Sequence, residues 1–137
     1  MTKTEALQVN TTMLAYLGDA VYELEIRRHV MELCQHDAGK AHKLAVRYVS
    51  ADAQAMIAKQ LIADGFLTEE EERLLKRARN HRTMSKPANA DPKNYKVATG
   101  FEALIGFLHI TEQVERLTDL IAEAIQIVES KYGGCYM

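Results

Sequence analysis

A carboxylate in the middle of an apolar helix constrains this chain more than any other feature of its sequence. From Leu14 to Val30 the residues read LAYLGDAVYELEIRRHV. Leu14, Leu17, Val21 and Leu24 recur at three- and four-residue spacing and make one helical stripe. At 3.6 residues per turn the far side carries Ala15, Tyr16, Tyr22 and Ile26, with Asp19 and Glu23 among them. A helix apolar on nearly every side is expected to be central and covered all round, which puts Asp19 at risk of burial. An ionised carboxylate left unpaired there costs several kcal/mol, so it must be neutralised, paired with a cation or bound to a metal.

A second stretch repeats the pattern. Val97 to Ile110, VATGFEALIGFLHI, is apolar round its circumference, and Glu102 is its one carboxylate. Each acid has small residues beside it, Gly18 in the first helix and Ala103 and Gly106 in the second. Two core-type helices, each with one acid near its middle and small residues beside it, suggest two acids facing one shared cation site. The alternative is that each acid meets its own Arg, Lys or helix N-terminus.

With 137 residues the chain fits a single domain spanning 1–137, long enough to bury about two-thirds of its unfolded surface. Its 47% hydrophobic and 26% charged residues argue against wholesale disorder. The charge is unevenly placed. Arg73, Lys76, Arg77, Arg79, Arg82, Lys86, Lys93 and Lys96 face only Asp91 within their segment, a local +7 that leaves −9 on the rest of a chain whose total is −2. That asymmetry suits a polyanionic partner, although a solvated Lys/Arg-rich helix and loop would produce the same pattern.

Cys34 and Cys135 form neither a CxxC pair nor a metal-ligand spacing, as expected of an intracellular protein with free thiols. No signal-peptide pattern opens the chain, and no apolar run approaches the ~20 residues needed to span a bilayer. A cytoplasmic protein without membrane association is the expectation.

Helical periodicity runs through the whole chain, and no useful strand alternation interrupts it. Met1 to Asn10 reads as a short lead-in, and Thr11 or Thr12 as the cap of a helix reaching about Leu33. Gln35 to Gly39 is a connection, followed by a shorter helix through Ala41, Leu44 and Tyr48. Ser50 caps the next helix, which Gly65 terminates. Thr68 to Glu71 is a capping box, with Glu69 to Glu72 at the positive end of a helix that turns basic at Lys76, Arg77 and Arg79. Asn80 to Tyr95 reads as an irregular basic loop feeding the Glu102 helix. A final amphipathic helix begins near Thr111 and ends at Gly133 and Gly134. The fold class is therefore all-α, with six or seven helices.

Asp19 and Glu102 offer the ligand chemistry Mg²⁺ prefers, a few carboxylates with water and phosphate oxygens completing the shell. Phosphate lying on the basic loop would then allow metal-assisted phosphodiester hydrolysis. Other chemistries are poorly supported. His36-Asp37 is an isolated pair, His29, His42, His81 and His109 lack ligand spacing, and no phosphate-binding loop or nucleophile elbow is present. His109 reads as a satisfied core histidine, and Glu23 as a solvated helix acid.

LGDAVYE at Leu17 to Glu23, with FEALIG at Phe101 to Gly106, resembles the two signature segments of the ribonuclease III catalytic domain. RARN at Arg77 to Asn80 and the run NYKVATGFEALIG are similar to its compact Mini-ribonuclease III branch, which lacks a double-stranded RNA-binding domain. The resemblance extends from about Thr11 to about Val128. It implies a homodimeric, Mg²⁺-dependent endonuclease that cleaves double-stranded RNA to 5′-phosphate and 3′-hydroxyl ends, in maturation of the 23S ribosomal RNA precursor. It makes Asp19 the catalytic aspartate and Glu102 the metal-binding glutamate.

Full-length ribonuclease III enzymes carry two further acids, where this chain has Ala15 and Thr99. One Mg²⁺ per site with more water ligands is therefore expected. Arg77, Arg79, Asn80, Arg82 and Lys86 are the expected RNA contacts, since A-form RNA is read mainly by shape and by its backbone. The rival readings are a catalytically silent helical RNA-binding protein of the same fold and a helical dimerisation module whose acids are structural.

Overall fold

The computed structural model describes residues 1–81 and 91–132, and these form seven α-helices with no strand among them. They are α1 (Lys3–Leu7), α2 (Thr11–Leu33), α3 (Ala38–Val49), α4 (Ala51–Ala63), α5 (Glu69–Asn80), α6 (Pro92–Ile110) and α7 (Val114–Lys131). Arg82, Lys86, Gly133, Gly134 and Cys135 lie outside the described residues.

Local chemistry sets most of the boundaries. Ser50 caps α4, with its hydroxyl accepting from Ala53 N at 3.1 Å. Gly65 follows α4 at φ +68°, the left-handed position at which glycine carries no Cβ penalty. Thr68 and Glu71 form the expected capping box on α5. Asp37, half of the isolated His36-Asp37 pair, caps α3 by accepting from Lys40 N at 3.0 Å.

Three local expectations need correction. Asn10, not Thr11 or Thr12, caps α2, its side chain accepting from Thr12 N at 2.7 Å while Thr11 is buried as the first helical residue. The basic connection ends earlier than Tyr95 because Asp91 caps α6 and Pro92 occupies its first turn, where a missing N–H costs nothing. His109 is exposed near the end of α6 and is no core residue.

The central helix is α6. It packs against α2, α4, α5 and α7, and buries Ala98 to Phe101 and Ala103 to Leu108 around the half-buried Glu102. Helix α2 supplies its largest contact but is not covered on all sides. Leu14, Ala15, Gly18, Tyr22, Ile26 and Val30 face inward. Leu24, expected in the buried stripe, is 59% exposed, and Met13, Tyr16 and Met31 stand on the same open side at 58, 77 and 60%. Periodicity shows that these residues are apolar; it does not show which protein surface covers them.

Candidate active site

Two glycines bring α2 and α6 together. A Cβ on Gly18 would run into the carbonyl of Glu102, and one on Gly106 into the carbonyl of Leu14. The contacts Leu14 with Gly106 and Gly18 with Glu102 place the helices antiparallel, backbone against backbone, over one turn. Tyr22 and Phe101 close the next turn edge to face, their ring centroids 5.1 Å apart. Asp19 follows Gly18 directly, so the crossing delivers its carboxyl to the Glu102 side chain. The small residues beside the acids are thus the reason the acids meet.

The two carboxyls hydrogen-bond to each other. Asp19 lies on the exposed rim and Glu102 beneath it. Burial pushes Glu102 up to about 9, and the hydrogen bond to Asp19 and its negative charge push the same way, against a hydrogen bond from Gln54 that favours the ionised form. At neutral pH Glu102 therefore holds a proton and donates it to Asp19. Among the described residues no cation neutralises Glu102, so within them the alternative in which this acid meets an Arg, a Lys or a helix terminus does not describe it.

This arrangement fits a divalent cation. Two carboxyl groups with hard oxygen donors converge, the donor chemistry that Mg²⁺ takes. Among the described residues no three His, Cys, Asp or Glu side chains gather into a metal-binding group. The chain thus offers two carboxylates and leaves the rest of a coordination shell to water and substrate. At the other two family positions Ala15 is buried, and Thr99 is buried with its hydroxyl donating to the Tyr95 carbonyl at 3.0 Å.

The expected RNA contacts lie at the C-terminal end of α5. Arg77 is exposed and donates to the Leu7 carbonyl at 3.2 Å, Arg79 is half-buried and donates to Asn80 Oδ1 at 3.2 Å, and Asn80 is exposed. Gly100 of α6 packs against the Leu75 carbonyl. Arg79 lies four residues beyond Leu75, roughly 6 Å along α5, and Glu102 two residues beyond Gly100 on α6. Glu23 pairs with Arg27 at 3.1 Å on the helix surface, as expected of a solvated acid.

Two buried polar features were not anticipated. Gln54 of α4 is 2% exposed and reaches Glu102. Glu71 is 3% exposed and meets Arg116 of α7. Gln54 lay inside the apolar pattern of α4, and no sequence spacing connects it to Glu102.

The chain resembles known proteins over most of its length. The family model for the ribonuclease III domain matches residues 12–113. A protein named Mini-ribonuclease 3 from Enterococcus faecalis is 47% identical over 121 residues, covering 88% of this chain and 92% of the relative. The Streptococcus pneumoniae protein of the same name is 45% identical, covering 88% and 94%. An X-ray structure of a Fusobacterium nucleatum protein superimposes with a TM-score of 0.76 at 33% identity, covering 87% of this chain and 93% of that one.

Proposed function

We propose that this chain, which belongs to the ribonuclease III family and within it to the Mini-ribonuclease 3 branch, is a Mg²⁺-dependent endoribonuclease that cleaves double-stranded RNA as a homodimer. Its proposed task is maturation of the 23S ribosomal RNA precursor in the cytoplasm. One observation carries this reading: α2 and α6 cross on Gly18 and Gly106 so that Asp19 and Glu102 share a hydrogen bond.

Asp19 and Glu102 would hold the cation. When bound, Mg²⁺ supplies Lewis acidity that activates water and offsets charge on the leaving oxygen. Glu102 would hold the cation as an ionised carboxylate, its proton released to solvent. Arg77, Arg79 and Asn80, with Arg82 and Lys86, orient the phosphate backbone through contacts that carry no sequence information. Support for the homodimer comes from the open side of α2. Met13, Tyr16, Leu24 and Met31 flank Asp19 along a single helix, and an exposed apolar stripe of this kind suits an isologous contact. No described helix is long and apolar enough to cross a membrane.

The deciding experiment is cleavage of a long RNA duplex in Mg²⁺ or EDTA by the native chain, Asp19→Asn and Glu102→Gln, each shown to fold and to bind the duplex. Cleavage by the native chain alone, and only with Mg²⁺, is expected. Tight binding with intact RNA in every lane would favour the silent RNA-binding protein, a reading that the missing acids at Ala15 and Thr99 keep specific.

A further inference from the structure

The side-chain amide of Gln54 is committed on one end and orphaned on the other. Its Nε2 donates to the Val49 carbonyl at 3.0 Å, and the amide lies within reach of the Glu102 carboxyl, where it favours the ionised form. Rotating the amide by a half-turn would set its oxygen against the Val49 carbonyl, acceptor against acceptor, so the orientation is fixed. That leaves Oε1, buried and without a hydrogen-bond partner among the described residues. Leaving such an acceptor unmet costs about 1–3 kcal/mol. A methionine of similar shape would avoid that cost, and the rest of α4 at this level is apolar, with Ala53, Ala55, Ile57 and Ala58 all buried.

We propose that Gln54 is a positioning residue of the cation site: its amide N–H orients the Glu102 carboxylate toward Asp19, and its orphaned Oε1 accepts a hydrogen bond from a water in the hydration shell of the bound cation. This rests on the reading of Asp19 and Glu102 given above. Two observations independent of any charge state support it, the fixed amide orientation and the buried acceptor. The role also suits a site with only two carboxylates. With Ala15 and Thr99 in place of acids, more of the coordination shell is water, and those waters need acceptors from the protein. Groups of this kind, which hold the ligands and not the metal, change metal affinity by about 10–100-fold when removed.

The test is Mg²⁺ titration of the metal-free full chain by calorimetry, without RNA, for the native protein, Q54M and Q54E. Thermal unfolding in EDTA is measured alongside. Q54M is expected to bind Mg²⁺ about tenfold or more weakly while its unfolding temperature in EDTA stays level or rises. Native-like affinity in Q54M would overturn the proposal. Q54E adds a carboxylate beside Glu102 and is expected to bind Mg²⁺ at least fivefold more tightly. An unchanged affinity in Q54E overturns the proposal by itself, even if Q54M does not fold. A native chain that binds no Mg²⁺ would instead remove the reading beneath the proposal, a result distinct from native binding that Gln54 does not influence.

Discussion

Glu71 and Glu102 are two glutamates drawn in from solvent on adjacent helices, and they meet opposite company. Around Glu71, Arg116 donates from Nε at 2.8 Å to Oε2 and from Nη2 at 2.6 Å to Oε1, and Thr68 N donates at 3.0 Å. The same guanidinium reaches the Phe66 carbonyl at 2.6 Å and lies over the Phe66 ring, 4.5 Å from its centroid. Glu102 has another acid and one amide. Burial by itself would raise both. At Glu71 the hydrogen bonds from Arg116 and Thr68, with the charge of Arg116, outweigh burial and hold the carboxyl below its ordinary range. At Glu102 the neighbour adds to the effect of burial. A buried acid is thus no sign of function until its partner is known: Glu71 ties α5 to α7, whereas Glu102 is held in a state that a cation would relieve.

The largest contrast expected is in catalysis. Asp19→Asn and Glu102→Gln should each lower duplex cleavage by roughly 10³-fold, about 4 kcal/mol of transition-state stabilisation. Glu71→Gln should leave cleavage per folded molecule within about twofold. Single-turnover rates normalised to folded protein check this. An equal loss in Glu71→Gln would merge the two sites and remove the distinction.

Stability should invert the ranking. Arg116→Met leaves the Glu71 carboxylate buried without its guanidinium, and breaking a buried pair by removing one partner costs about 3–5 kcal/mol. Glu102→Gln should be neutral or stabilising in EDTA, because it replaces a carboxyl that burial disfavours. Urea unfolding of both proteins without metal measures the difference. A loss in Glu102→Gln as large as that in Arg116→Met would mean that the acid pair is structural.

A smaller effect is expected where the backbone builds the site. Gly18→Ala forces α2 away from the Glu102 carbonyl, and overpacking of this kind costs about 1–3 kcal/mol. Its activity loss should exceed what the unfolded fraction explains, since the same displacement separates Asp19 from Glu102. Gly39→Ala, whose Cβ would meet only the Asp37 carboxyl at 3.2 Å, serves as the control with native activity.

Much of this comparison was legible in the sequence. The helical pattern, Ser50, Gly65 and the Thr68–Glu71 box are local, and local chemistry set those boundaries. Asp19 and Glu102 were legible as a pair because each is the acid near the middle of a core-type helix with small residues beside it; that the glycines make the crossing close is seen only in the structure. What stayed hidden was long-range partnership. Glu71 read as a capping residue and no more, since Arg116 lies 45 residues away and no periodicity links them. Gln54 was invisible for the same reason. The open side of α2 was expected to be covered, and the exposed Met13, Tyr16, Leu24 and Met31 show that the rest of its own chain does not cover it among the described residues. Arg82 and Lys86, outside the described residues, keep the sequence as their only support.

The finest test of the comparison is a difference of sign with pH. Glu71 titrates below its unfolded value, so its contribution to stability is present above the ordinary carboxylate range and is lost as pH falls through the lower folded value. Glu102 titrates above its unfolded value, up to about 9. The folded chain therefore binds more protons than the unfolded one between the ordinary carboxylate range and about pH 9, and the contribution of Glu102 declines as pH rises through that window. Metal-free urea unfolding from pH 3 to pH 9 should show an acid limb that Arg116→Met weakens and an alkaline decline that Glu102→Gln flattens. Saturating Mg²⁺ should flatten the alkaline decline as well, because the cation takes the place of the proton and its affinity rises as that proton is lost. If Mg²⁺ altered the acid limb and left the alkaline one untouched, the cation would be acting elsewhere than at Asp19 and Glu102.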